Sequence, residues 1–483
     1  MKNIYFILAI LVLLTQGCND FLEPKSQDKV VPKTVSQLRE LLLGEIIQNK
    51  KDYTEYLSVM TDDFADQDGN QYEYRNQLWG YYTWQREPEE GRDLATRNDE
   101  AWSELYHAIF TCNIIIDKTP SMHGTDEEKN QLLAETYFLR AQAYFELINL
   151  YGEPYESAEQ AEKALGVPIN EEITIMDNIY SRETLAKVYA KIESDLHESI
   201  TRFKNTEWTK NVVHPSLDVA YLFASRLHLY KKEYQSAKNY ADSVINNERY
   251  QLYDLHTAGL TSYSYFINKN NPEIMFCYGM ASFDFIYNYS STYATYLVSD
   301  KIISLFSNDD LRKTTFWDKN KKPHKFSSTN SQSYGNTYRL SEAYLNRAEA
   351  LVFLGKWESA ITDINTIREK RIKNDYEITA TNREDALNKV WEERRRELCF
   401  EKHRWFDLRR YAVCEKYPYS KQIRHAFNVY DGNKYEWDHT DIYVLEKNDP
   451  AYVMQIPKSV LEYDEEQMPE NPRNKRSPLG DDE

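Results

Sequence analysis

Six aromatic residues, Tyr72, Tyr74, Trp79, Tyr81, Tyr82 and Trp84, fall within 13 residues of a stretch flanked by Gly, Asn, Asp and Pro, with no helical period. Ring faces of this kind suit sugars, whose axial C–H groups pack on them while Asp, Asn and Arg side chains bond the hydroxyls. Peptides rich in aromatic or proline residues fit the same chemistry. A second cluster, Phe283, Phe285, Tyr287 and Tyr289, alternates with Asp284, Ile286 and Asn288, so in a strand its four rings share one face. The expected ligand contacts are Tyr72, Trp79, Tyr81, Tyr82 and Trp84 from the first cluster and Phe285, Tyr287 and Tyr289 from the second. The competing reading is that these rings fill a core beneath long loops.

Other chemistry-bearing spacings carry less. Asp62, Asp63, Asp66 and Asp68 precede Gly69, but an EF-hand loop counted back from that glycine starts at Phe64, so a solvated acidic loop is expected rather than a metal site. Two Glu-x-x-His spacings, Glu104 to His107 and Glu436 to His439, lack the further glutamates of a di-metal bundle. Residues 390–413 (VWEERRRELCFEKHRWFDLRRYAV) hold seven basic and five acidic residues. Glu392 with Arg396 and Asp407 with Arg410 lie at helical pair spacing, so this segment reads as a self-neutralised helix, with Trp391, Leu398, Trp405 and Leu408 facing a core. No His-Glu-x-x-His, Gly-x-Ser-x-Gly, phosphate-binding glycine loop or Rossmann fingerprint occurs, so no catalysis and no cofactor is expected.

The elements that must position these residues follow from composition and period. The chain has 483 residues and a net charge of -18, which argues against a nucleic-acid binder, since such proteins need excess Lys and Arg to displace counterions. Only 14 Gly against 39 Tyr favours long helices over Gly-turn β architecture. A first helix is expected over 36–49. Two more from Ala101 to Tyr151 are joined at a turn containing Gly124, and Gly152 and Pro154 end the second. Residues 220–245 repeat over 343–368: Ala220-Tyr221-Leu222 aligns with Ala343-Tyr344-Leu345, Tyr234 with Trp357, and Ser236-Ala237 with Ser359-Ala360. This resembles the tetratricopeptide helix-turn-helix, in which a small residue lets paired helices approach. The fold class expected is mainly α, a tetratricopeptide-like helical scaffold with an irregular, loop-rich lobe containing short strands.

The N-terminus reads as an export signal. Lys2 precedes the apolar run Ile4 to Leu14, too short to span a bilayer, and the run ends at Gly17-Cys18 before polar Asn19 and Asp20. This resembles a bacterial lipoprotein signal, whose cysteine, here Cys18, is acylated; Thr15 stands where an aliphatic residue is usual. The expected organisation is a signal at 1–17, a tether at 18–35, an N-terminal helical region at 36–250, an irregular region at 251–335 and a C-terminal helical region at 336–483. Cys112, Cys277, Cys399 and Cys414 have no short-spaced pairs and are expected as free buried thiols.

Several segments together resemble the SusD/RagB-like outer-membrane nutrient-binding lipoproteins. In family order they are CNDFLEP, WSELYHAIFTCNIII, FLRAQAYFELINLYGEPY, YRLSEAYLNRAEALVFLGKWESAITDINTIREKR, EERRRELCFEKHRWFDLRRY and MQIPKSVLEYDEEQMPENPRN. The resemblance implies a lipid-anchored protein on the outer membrane facing the cell exterior. It also implies a SusC-like TonB-dependent transporter as partner and a glycan as ligand, bound without catalysis. Three other readings stay open: a peptide-binding member of the same family, a helical glycoside hydrolase with two carboxylates about 5 to 9.5 Å apart, and a repeat scaffold for protein partners.

Overall fold

The structure, a computed structural model, describes residues 32–48, 53–66, 73–92, 99–174, 179–207, 209, 211–260, 264–280, 296–326, 334–431, 436–465 and 467–479. Cys18, Tyr72, Phe285, Tyr287 and Tyr289 lie outside them. The helices that carry the fold are α1 (Val35–Leu42), α2 (Glu100–Lys118), α3 (Asp126–Tyr151), α4 (Leu185–Phe203), α5 (Leu217–Tyr230), α6 (Tyr234–Ile245), α7 (Leu340–Phe353), α8 (Trp357–Glu369), α9 (Arg383–Leu398), α10 (His403–Ala412) and α11 (Lys458–Tyr463). The strands are β1 (Phe64–Asp66), β2 (Ile274–Met280), β3 (Tyr296–Val298), β4 (Tyr334–Arg339), β5 (Ile423–Tyr430) and β6 (Trp437–Leu445). Among the described residues they form three separate antiparallel pairs, β1–β3, β2–β4 and β5–β6. The protein is thus mainly α, with short strands set into a helical scaffold.

From α2 to α9 each helix packs on the next in the chain, and α7 also packs on α5, α6 and α9. The long α3 shows how local chemistry serves this stacking. Thr125 Oγ1 accepts from Glu128 N–H (3.2 Å) while Glu128 Oε2 accepts from Thr125 N–H (2.7 Å), a reciprocal cap that satisfies two orphan donors. The helix stops at Gly152, where an added Cβ would stand 2.8 Å from the Ile148 carbonyl oxygen. Between these ends α3 packs against both α2 and α4, so apolar residues occur all round it rather than on one stripe. Its buried Arg140 is neutralised across that contact by Asp195 of α4 (2.7 and 2.8 Å).

The repeat is present as two helix pairs, α5–α6 and α7–α8. Ala237 and Ala360, the aligned small residues, are fully buried. Tyr234, at the start of α6, stacks on Phe353 of α7 at 4.1 Å and 7°, which joins the two copies. Both copies turn through the left-handed region at the same aligned position, Gly355 with φ +82° and Lys232 with φ +61°.

A second, polar core lies where α9 meets the middle of the chain. Arg312, Arg339 and Arg371, all fully buried, interlock with Glu273, Glu393, Glu397, Glu401 and Asp310. Burial by itself would raise the Glu393 carboxyl, but Arg312, Arg396 and Arg368 override it and hold the group at about 2. Burial opposes ionisation of Glu401 in the same way, and Arg339 and Lys325 hold it at about 2.

The segment 390–413 forms α9 and α10, with Trp391, Leu398, Trp405 and Leu408 buried as expected. Glu392 pairs with Arg396, and Asp407 with Arg410 at 2.8 Å. The acidic run differs from expectation. Asp62 and Asp63 are buried, not solvated, because Arg395 and Arg404 reach them at 2.7 to 3.0 Å and Lys421 also bonds Asp62. Asp66 is bonded by Arg75, and Asp68 lies outside the described residues. Cys112, Cys277, Cys399 and Cys414 are buried free thiols. Burial pushes the Cys112 and Cys399 thiols up to about 12, so neither is a nucleophile at neutral pH.

Candidate functional site

The β5–β6 hairpin alternates its side chains between core and solvent. Ile423, His425, Phe427, Tyr443 and Leu445 point inward and are buried, whereas Trp437, Asp438 and His439 at the far end are exposed. The inward row is locked from below. His425 lies between the rings of Tyr82 (4.1 Å, 13°) and Trp84 (4.3 Å, 25°), and its two ring nitrogens face the carbonyls of Tyr82 (2.7 Å) and Thr61 (2.9 Å).

This packing settles where the first aromatic cluster goes. Tyr81, Tyr82 and Trp84 are 7%, 1% and 0% exposed, so the expectation that they offer faces to a ligand is corrected: they are core. Their polar atoms are spent inside. Trp84 Nε1 donates to the Met60 carbonyl (2.9 Å), and Tyr82 Oη donates to the Ala426 carbonyl (3.0 Å) while accepting from Asp66 N–H (2.9 Å). Tyr81 stacks on Tyr56 at 4.2 Å. Trp79 is half-buried and meets Tyr443 edge-on at 6.1 Å, which places it at the margin of the hairpin. Tyr72, Phe285, Tyr287 and Tyr289 lie outside the described residues.

Arg75 fastens these parts together. Nε and Nη2 donate to the two carboxylate oxygens of Asp66 (both 2.5 Å), Nη2 also bonds the Asn428 carbonyl, and the guanidinium lies 3.8 Å over the Phe427 ring. Burial works against the Arg75 charge, and the Asp66 carboxylate more than restores it. Tyr296 Oη donates to the Arg75 carbonyl (3.2 Å).

What remains open to solvent is the far end of the hairpin. Trp437 is 61% exposed, the Nε1 group donates to Thr440 Oγ1 (3.2 Å), and Tyr430 is its cross-strand partner. Arg92 and Asp441 form a half-exposed pair at 3.8 Å, and His439 Nε2 stands 3.3 Å from Asp441 Oδ1. The exposed indole, with Tyr430 across the strands and the Thr440 hydroxyl at its edge, is a ring face with a hydroxyl-bonding group beside it. Sequence reasoning missed Trp437, Tyr430, Arg92 and Asp441. The signal was there: Asp431-Gly432 between aromatic runs is a hairpin-turn dipeptide.

Among the described residues one group, Glu193, His228 and Glu233, has the donors for a cation. Lys231 already bonds both carboxylates, so the chain supplies that positive charge itself. Neither Glu-x-x-His spacing forms such a group: His107 pairs with Glu45 (3.0 Å), and His439 sits on a strand. No helix among the described residues is long and apolar enough to cross a membrane.

Comparison with known proteins gives consistent results. Residues 311–473 match the model of the SusD family, and residues 20–229 match a model described as starch-binding associating with outer membrane. SusD-like protein P25 of Formosa agariphila is 20% identical, covering 86% of this chain and 90% of its own length. SusD-like protein P2 of the same organism is 24% identical over 64% of this chain and 70% of its own. A solved SusD superfamily protein from Bacteroides vulgatus superposes with a TM-score of 0.70 at 21% identity, covering 92% of this chain and all of that one. A solved SusD-like carbohydrate-binding protein from Bacteroides vulgatus superposes with a TM-score of 0.67 at 19% identity, covering 90% and 97%.

Proposed function

Since this chain belongs to the SusD/RagB family, we propose that it captures oligo- or polysaccharide at the cell surface and passes it, without catalysis, to a SusC-like TonB-dependent outer-membrane transporter. The observation that carries the proposal is the exposed Trp437 ring, with Tyr430 as its cross-strand partner. Trp79 at the margin of the hairpin, together with Tyr72, Phe285, Tyr287 and Tyr289, completes the proposed surface. The signal at 1–17, acylation of Cys18 and the tether at 18–35 belong to the same reading, as do the helical regions at 36–250 and 336–483 and the irregular region between them.

Trp437→Ala tests the site. Loss of a ring that covers a sugar weakens binding by about 1 to 3 kcal/mol, roughly 5-fold to 150-fold, and an exposed position leaves melting temperature unchanged. Calorimetric titration with a panel of glycans and aromatic or proline-rich peptides measures this. Unchanged glycan affinity would move the site elsewhere; affinity for peptides alone would favour the peptide reading. Release of reducing sugar over time would instead mark a hydrolase. Changing Cys18 to Ser is expected to release the protein from the membrane fraction, and a Ser variant still labelled by lipid precursor would sink the anchor.

A further inference from the structure

A cavity of about 430 Å3, sharing no residue with the hairpin surface, opens between the start of α2, the segment at Pro168 and α11. Its walls are Trp102, Tyr106, Tyr180, Tyr463, Val460 and Met468. Trp102 is fixed in place by rings on two sides, Tyr106 and Tyr151, each at 5.0 Å. The Tyr106 hydroxyl is already used, donating to the Pro168 carbonyl at 2.7 Å, so that residue presents its ring rather than its oxygen. Tyr463, on the outer wall, is 65% exposed.

Among the described residues one charged side chain lines this aromatic cavity, Asp464, and it is 4% exposed. Its Oδ2 is buried with no hydrogen-bond partner, although a carboxylate shut away from water normally finds one. By contrast, the buried carboxylates of Asp62, Glu393, Glu397 and Glu401 are each paired with a cation. A buried acceptor without a donor, among ring faces whose quadrupoles attract positive charge, is the chemistry of organic-cation recognition. We propose that this cavity binds a protonated amine carried on a compact apolar body, with the ammonium on Asp464 and the body against Trp102, Tyr106 and Tyr463. The volume exceeds that of a single six-membered ring, for which about 150 Å3 suffices, so a one-ring amine probes the Asp464 end of the cavity without filling it. The proposal is independent of the glycan reading.

Cyclohexylammonium is a suitable probe, since an alkyl amine with a pKa of about 10 is charged at pH 7 and the ring is apolar. Titration calorimetry is expected to show saturable binding. Cyclohexanol, with the same ring and a neutral donor, is expected to bind at least about 10-fold more weakly. Asp464→Asn should weaken the amine by about 10-fold or more while the melting temperature holds or rises, because no bond in the free protein is lost. Tyr463→Ala, at an exposed position, should keep the fold and weaken the amine by about 3-fold to 10-fold. Equal affinity for the alcohol, undiminished amine binding by Asp464→Asn, or no binding to the unaltered protein at about 10 mM would each overturn the proposal. Glycan affinity should be unaffected in both variants, so its failure or success is read separately.

Discussion

Trp84 and Trp437 divide between them the two roles open to a large ring in this protein. Trp84 is wholly enclosed, bonded to Met60 and stacked on His425, and Trp437 faces solvent. Trp84→Ala is therefore expected to cost about 3 to 5 kcal/mol of stability in denaturant titration, with the surviving folded protein binding glycan normally. A stable variant with weakened binding would reverse that assignment. Residue type and spacing did not separate the two cases, since a Tyr/Trp-rich stretch reads alike whether a hairpin covers it or not. The charges teach the same lesson. Asp62 and Asp63 looked like a solvated loop, and Arg395 and Arg404 like members of a locally neutralised helix. They are each other's partners across more than 300 residues of chain.

At the scale of elements, sequence was a good guide where periodicity repeats. The paired helices of the two copies, their buried Ala237 and Ala360, and the stop of α3 at Gly152 were all legible, because apolar spacing and caps are local properties. Ala360→Leu should overpack the α7–α8 contact and cost about 1 to 3 kcal/mol, visible as a lower melting temperature. No loss on substitution would show that the two helices are not in close contact there. The β5–β6 hairpin was not foreseen, because its outer half carries polar residues that give no strong alternation. Its register matters most for the proposed function: the inward row anchors the hairpin on Tyr82 and Trp84, and the bulge between Val429 and Tyr430, which pairs Trp437 with Tyr430, takes Trp437 off the inward face of Tyr443 and Leu445.

Across the whole molecule, stability rests on a helical apolar core and a buried charge network, which respond differently to pH. Glu393 and Glu401 are held at about 2 against an ordinary value of 4.5. A depressed carboxyl contributes stability that is fully present above the unfolded value and is lost as pH falls through the folded one. The contribution of these two carboxylates is thus expected to be constant above about pH 5, and melting temperature to fall between about pH 4.5 and 2 as they are protonated. A flat profile across that window would show that these carboxylates are not ion-paired as described. Removing one member of the network, as in Arg339→Met, leaves uncompensated buried charge and is expected to cost about 3 to 5 kcal/mol in denaturant titration. The sequence alone determined the helical class, the repeat and the family, because helix period, caps and ordered motifs are written in neighbouring residues. Only the tertiary structure decided which aromatic rings are core, which charges neutralise which, and where a ring face and an unpaired carboxylate are left over. Those outcomes depend on contacts between segments distant in the chain, and burial is a property of the assembled neighbours rather than of the residue itself.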